Sequence, residues 1–273
     1  MSRIAATFQR LKTEKRAAFI PFFVTGDPDL PTTAALIRAA EASGADLVEL
    51  GVPFSDPIAD GPVIQASYYR ALEKGFRVSQ LFELVSELRA GGLKIPLVCM
   101  VSETLVFKRT LPVFLDSCKK AGFDGVIIPD LPAGYEGDAA ERAREAGLDL
   151  IFLIAPTTQA DRRSVIAERS RGFIYYISTT GITGARTTLP PDLSENIKDI
   201  QSRTQTPVCV GFGISRPDQA AAVASVADGA IVGSAVVKKV EEASNQNLSG
   251  AKLVEYVAIF LKELAVSTHG VKR

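Results

Sequence analysis

The chain has 273 residues, is 47% hydrophobic, and balances 31 Lys+Arg against 31 Asp+Glu for a formal net charge of zero. That balance leaves no basic footprint for nucleic acid or an anionic membrane surface, and no apolar run approaches the ~18 residues of a membrane span. Three widely spaced cysteines (Cys99, Cys118, Cys209) make neither a disulfide framework nor a zinc pattern, and a single histidine, His269, rules out histidine triads and His-ligated metal sites.

The opening residues Met-Ser-Arg-Ile-Ala-Ala-Thr-Phe lack the apolar core of a signal peptide, so a cytoplasmic protein with reduced thiols is expected. Ile4, Phe8 and Leu11 stand at helical spacing within 3–13 and predict a leading helix. Phe19-Ile-Pro-Phe-Phe-Val-Thr is the first strand, followed by a helix over 32–43. Asp46-Leu-Val-Glu-Leu is the second strand; two helices follow, over 63–72 and 79–89. Strands three to five are Ile95-Pro-Leu-Val-Cys-Met-Val, Asp124-Gly-Val-Ile-Ile and Leu148-Asp-Leu-Ile-Phe-Leu-Ile, each followed by a helix (111–121, 136–146, 161–170). Phe173-Ile-Tyr-Tyr-Ile, Val208-Cys-Val and Gly229-Ala-Ile-Val are strands six to eight, with helices over 192–203 and 217–226 between them. A short helix starting at Ser234 and a long one over 250–265 finish the chain.

Eight short strands, continuously apolar and rich in Val and Ile, alternate with helices, the pattern of parallel strands buried on both faces. The expectation is α/β: a single (β/α)8 TIM barrel over 1–273, with an extra N-terminal helix, a phosphate-binding short helix after strand 8 and a polar tail over about 266–273. An open doubly wound sheet is the alternative.

A barrel works at the C-terminal ends of its strands. The second strand ends in a carboxylate, Glu49, and runs into Gly-Val-Pro-Phe-Ser-Asp-Pro-Ile-Ala-Asp60-Gly-Pro, too rich in Pro and Gly for regular structure. Alternation aims Glu49 inward if Val48 and Leu50 pack outward. Two carboxylates in unequal surroundings can divide acid and base roles between them. A salt-bridged core glutamate and a turn aspartate remain the plainer alternatives. Gly211-Phe-Gly213-Ile-Ser and Gly233-Ser234-Ala follow strands seven and eight, where backbone N–H groups and a helix N-terminus can hold a phosphate, or where they make ordinary tight turns. The long loop with Thr179, Thr180, Gly181, Thr183, Gly184 and Arg186 has the make-up of a lid over the mouth, or of a plain surface loop. Tyr175 and Tyr176 alternate, so one faces inward. No lysine stands at a strand end as a Schiff-base residue would.

The run Glu49-Leu-Gly-Val-Pro-Phe-Ser-Asp-Pro-Ile-Ala-Asp-Gly-Pro-Val-Ile-Gln, with Pro-Phe-Phe-Val-Thr-Gly-Asp-Pro, Ile-Pro-Asp-Leu-Pro, Gly-Ile-Thr-Gly and Gly-Phe-Gly-Ile-Ser, resembles the tryptophan synthase α subunit family over about residues 3 to 265. The resemblance implies a lyase that cleaves indole-3-glycerol phosphate to indole and glyceraldehyde 3-phosphate by a retro-aldol reaction. It assigns Glu49 to proton transfer and Asp60 to the indole N–H. It implies a phosphate site at Gly184, Gly213, Gly233 and Ser234, and a pocket formed by Phe22, Tyr175, Phe212 and the lid residue Thr183. No cofactor or metal is implied, pyridoxal phosphate being expected only on a partner β subunit in an α2β2 heterotetramer. Two segments depart from the family pattern. Met100-Val-Ser-Glu-Thr104 stands where members carry a Tyr- and Asn-Pro-containing stretch that borders the indole pocket and faces β, and Thr179 stands where the lid often has Arg. A free-standing indole-glycerol phosphate lyase is therefore one alternative; a non-catalytic phosphate-ligand-binding barrel that activates a partner is the other.

Overall fold

The apolar runs become strands that are covered on both faces and join into one parallel sheet curled upon itself. The computed structural model describes residues 2–58, 60–135, 137–177, 190–211 and 213–272. The strands are β1 Ala18–Val24, β2 Val48–Gly51, β3 Leu97–Met100, β4 Gly125–Ile127, β5 Asp149–Ile151, β6 Leu153–Ile154, β7 Ile174–Ile177, β8 Val208–Gly211 and β9 Gly229–Val232. The helices are α1 Arg3–Glu14, α2 Leu30–Ser43, α3 Pro62–Glu73, α4 Val78–Ala90, α5 Glu103–Arg109, α6 Leu111–Ala121, α7 Ala139–Glu145, α8 Ala160–Arg169, α9 Leu193–Arg203, α10 Pro217–Ala224, α11 Ser234–Asn245 and α12 Gly250–His269.

The sheet order is β5-β4-β3-β2-β1-β9-β8-β7-β6, with every pair parallel. β5 and β6 are halves of the one expected fifth strand, interrupted at Phe152, whose carbonyl accepts from the Tyr175 amide at 3.0 Å. The two ends of the sheet are thus continuous in the chain, and the ring closes as a barrel rather than an open sheet.

Period-two alternation sorts the side chains. Ala18, Ile20, Leu47, Val98, Ile127, Ile151, Tyr175, Cys209 and Ile231 meet inside the barrel. Phe19, Val48, Leu50, Leu97, Cys99, Val126, Tyr176 and Val210 face outward against helix residues such as Leu36, Leu84, Phe114 and Leu261. α1 lies under the barrel with Ile4, Phe8 and Leu11 joining the inner cluster. Its ends follow from capping: Ser2 accepts from the Ala5 amide at 3.1 Å.

The aspartates in the helix-to-strand turns share one task at the barrel floor. The carboxylates of Asp46, Asp124 and Asp228 accept from amides at the starts of neighbouring strands: Phe19, the second residue of β1, and Leu97, the first of β3, at 3.0 Å, and Val208, the first of β8, at 2.9 Å. Each therefore satisfies a strand amide that the ladder leaves unpaired and sets where that strand begins.

Three expectations are corrected. The last helix runs to His269, so 266–273 is no polar tail: Thr268 is buried and His269 Nε2 lies 2.7 Å from Asp46 Oδ2. The helix after the eighth strand is not short, spanning the 12 residues of α11. The atypical 100–104 segment opens a helix, α5, that periodicity did not announce; its start is fixed by Asp130, whose Oδ1 accepts from the Glu103 amide at 2.8 Å while Oδ2 accepts from Ser102 Oγ at 2.7 Å.

Candidate active site

β2 carries Glu49 in register with Phe22 of β1 and Val98 of β3. Its neighbours Val48 and Leu50 belong to the outer cluster and Leu47 to the inner one, so Glu49 projects into the barrel. It is wholly buried, and neither carboxylate oxygen has a hydrogen-bond partner among the described residues. An ionised carboxylate in such a place loses its hydration without recompense. Desolvation therefore pushes its pKa from 4.5 to about 8, leaving a protonated acid at neutral pH. The plain reading of Glu49 as a salt-bridged core residue is thereby ruled out among the described residues.

Asp60 sits in the loop between β2 and α3 and is half-buried. The loop is braced by its own chain: the Asp60 amide donates to the Pro57 carbonyl at 3.3 Å, and Gln65 Nε2, one turn into α3, donates to the carbonyls of Asp60 at 2.8 Å and Pro57 at 3.3 Å. Burial, with a smaller contribution from the charge of Asp130, raises its pKa from 3.8 to about 6. At pH 7 Asp60 is thus mainly ionised while Glu49 is protonated. The two carboxyls differ in solvation, and that difference assigns one the donor state and the other the anionic state.

Phe22 and Tyr175 frame these groups. Tyr175, not Tyr176, is the inward-facing tyrosine. Burial raises its phenol pKa well above 10, and the carboxyls of Glu49 and Asp60, once ionised, push it further. Two glycines make room for the rings. A Cβ on Gly51 would lie 2.4 Å from Phe22 Cζ, and one on Gly211 would lie 2.3 Å from Tyr175 Oη. Both distances are far inside van der Waals contact, so these strand ends must be glycine for the aromatic side chains to lie over them.

On the other side, Gly233 caps α11 and rests against Phe22, its Cβ position 3.8 Å from Phe22 Cβ. The carbonyl of Gly233 accepts from the Val236 and Val237 amides at 2.9 and 3.1 Å, which leaves the first-turn amides of Ser234 and Ala235 without helical partners. Gly213, after β8, has φ +81°, a left-handed conformation suited to glycine. Arg70 of α3 ties this rim together. It grips Asp27 after β1 in a two-pronged pair (2.7 and 3.1 Å) and reaches Glu241 of α11 at 2.8 Å. Thr183, Gly184 and Phe212, the remaining candidate pocket residues, lie outside the described residues, as do Thr179 and Arg186.

A cavity of about 240 Å³ opens beside Asp60, walled by Phe54, Tyr68, Met100, Ser102, Thr104 and Asp130 among others. Asp130 lies in the Ile-Pro-Asp-Leu-Pro motif of the resemblance, whereas no sequence signal marked Tyr68. Among the described residues no group of three or more His, Cys, Asp or Glu side chains is gathered to hold a metal, and no helix is long and apolar enough to cross a membrane. A protonated acid, an anionic carboxylate, two aromatic walls and a set of open amides suit the cleavage of an aromatic, phosphorylated substrate by proton transfer.

Comparison with known proteins agrees with this geometry. The family model described as tryptophan synthase alpha chain matches residues 8–266. A tryptophan synthase alpha chain of Rhodopirellula baltica is 46% identical over 261 residues, covering 94% of each chain, and one of Geobacter sulfurreducens is 45% identical over 264 residues, covering 97% of this chain and 98% of its own. Among solved structures, tryptophan synthase subunit alpha from Legionella pneumophila superposes with a TM-score of 0.90 at 30% identity, covering 99% of this chain and all of that one. A Mycobacterium tuberculosis tryptophan synthase structure gives 0.88 at 34% identity, covering 98% of each chain.

Proposed function

The chain belongs to the tryptophan synthase alpha chain family, the lyases that cleave indole-3-glycerol phosphate, and we propose that Glu49 and Asp60 carry that reaction here. The carrying observation is the buried, unpartnered carboxyl of Glu49, protonated at neutral pH. Glu49 donates its proton to indole C3, which makes C3 tetrahedral and the ring a cationic indolenine. Asp60, ionised, accepts a hydrogen bond from the indole N–H and balances that charge. The bond from C3 to the glycerol carbon then breaks, its electrons restoring the aromatic ring. The glycerol hydroxyl loses its proton to the Glu49 carboxylate as the aldehyde forms. Indole and glyceraldehyde 3-phosphate leave, and Glu49 is again protonated. The bond cleavage leaves its electron pair in the ring, and the steps on either side of it are proton transfers, so Glu49 as acid and base and Asp60 as counter-charge supply the chemistry the reaction needs. Each is worth roughly 10²–10⁴ in rate.

Phe22 and Tyr175, with Phe212, sandwich the indole in this reading. The amides at Gly213, Gly233 and Ser234, with Gly184, bind the phosphate, and Thr183 closes near Asp60. The single barrel over 1–273 works in the cytoplasm as one α subunit of an α2β2 heterotetramer whose β subunit carries the pyridoxal phosphate. Support for the partner surface comes from Ile58, 88% exposed next to Asp56 and Pro57 at the rim of the Asp60 cavity, and Phe107, 83% exposed one turn beyond Thr104 in α5. Indole release from indole-3-glycerol phosphate, measured with and without added β subunit, tests the reading. Release that rises on adding β, with the two co-eluting, supports a subunit. Release indifferent to β leaves a free-standing lyase, and no release with tight substrate binding leaves a non-catalytic barrel.

A further inference from the structure

Tyr68 is the buried group beside the site that the reaction above does not use. It lies on α3, eight residues beyond Asp60, with Ile64 and Ala71 in a cluster that includes Phe22 and Val24. It is only 3% exposed. Its neighbour Tyr69 is 50% exposed and spends its hydroxyl on the Ser55 carbonyl at 3.2 Å. The Tyr68 hydroxyl reaches over the end of β2, where a Cβ on Gly51 would lie 3.0 Å from it. Gly51 is two residues beyond Glu49, and the same spot is shared with the edge of the Phe22 ring. Tyr68 also walls the cavity that holds Asp60.

No described residue gives a hydrogen bond to, or takes one from, the Tyr68 hydroxyl. Phenylalanine would fill the same space, and Tyr68 Oη is not among the fully buried unpartnered atoms of the described residues, so the hydroxyl opens into the cavity as a donor with no protein partner there. Asp60 is close enough for its charge to push the Tyr68 phenol pKa further up after burial has raised it. A phenol that stays protonated is a donor at every working pH.

We infer that Tyr68 is a positioning residue for the cleavage: its hydroxyl donates to the Asp60 carboxylate once indole-3-glycerol phosphate fills the cavity, keeping Asp60 ionised and aimed at the indole N–H. The inference rests on the role given to Asp60 above.

The test is Tyr68→Phe in the full-length chain, with indole release followed as a function of pH. A hydrogen bond to the ionised form lowers the pKa of Asp60 in the complex, so its loss raises it. The acidic limb of kcat should move up by about one pH unit, with a roughly tenfold fall in kcat on the acidic side. The acidic limb of kcat/KM, which reports the free enzyme, should stay, because the hydroxyl does not bond Asp60 there. The melting temperature should match or exceed that of the parent. In an Asp60→Asn background Tyr68→Phe should add no further loss. An unchanged kcat profile overturns the inference, as does a fall in kcat that leaves the acidic limb in place and lowers the melting temperature, which is what mere packing would give. If Asp60→Asn fully retains parental kcat, the underlying role of Asp60 fails and the inference with it. If Asp60→Asn is impaired and Tyr68→Phe is not, the inference alone fails.

Discussion

Glu49→Gln is expected to stabilise the protein while disabling it, by an amount that depends on pH. In the unfolded chain the glutamate titrates near its ordinary 4.5, whereas burial in the barrel raises it to about 8. A carboxyl whose folded pKa is raised binds its proton more tightly in the native state. Its contribution is fully present below pH 4.5 and is lost as pH rises toward 8. At pH 7 folding must therefore take up a proton at Glu49, which at ~1.4 kcal/mol per pH unit costs about 3 kcal/mol. Glutamine has nearly the same shape and no such linkage. Its buried amide lacks partners as the neutral acid does, so those costs largely cancel. The variant should be more stable by about 2–3 kcal/mol at pH 7, equivalent to roughly 5–10 °C in Tm for a chain of this size. The gap should close at pH 4 and widen up to about pH 8. Urea unfolding midpoints at pH 4, 5.5, 7 and 8 measure it. A gap independent of pH, or a variant less stable at pH 7 than at pH 4 relative to the parent, would show that Glu49 is not held protonated.

Asp130→Asn removes the charge that helps to raise Asp60, while its amide oxygen can still accept from the Glu103 amide and its amide nitrogen can donate to the Ser102 hydroxyl; the acidic limb of kcat/KM should move down by up to about one pH unit, and an unmoved limb would separate the two carboxyls. Gly211→Ala would place a Cβ 2.3 Å from Tyr175 Oη, so a loss of about 1–3 kcal/mol by urea unfolding and a raised KM for the substrate are expected; parental values for both would mean that Tyr175 does not lie over the strand end. At the barrel floor, desolvation acts to raise the Asp46 pKa, but the bond from His269, the Phe19 amide and Arg10 outweigh it and hold the carboxyl below its usual 3.8. That stability is present above pH 3.8 and lost as pH falls through the folded value. His269→Ala should cost about 1–2 kcal/mol at pH 7, with the difference from the parent shrinking in acid; equal stability at pH 7 would make the contact incidental.

What could be read in advance was what short-range pattern controls. Val48 and Leu50 flank Glu49, and period two alone turned its carboxyl inward. What escaped depends on residues far apart in the chain. α5 is invisible to periodicity because its start is held by Asp130, delivered from the end of β4. His269 looked like part of a tail because its partner, Asp46, is 223 residues away. Tyr68 and Tyr69 are adjacent and chemically alike, so only the angle at which α3 packs decides which one reaches Gly51. The split at Phe152 follows from closing the barrel, which no local signal encodes.

The central claim, that the buried acid of Glu49 drives the cleavage, is tested most directly by Glu49→Gln in one preparation assayed two ways: indole release from indole-3-glycerol phosphate and equilibrium binding of the same compound. Loss of release by at least ~10²-fold, with affinity kept within a few-fold, is the expected result, because glutamine preserves the pocket and removes only the transferable proton. Release at the parental rate would take Glu49 out of the reaction.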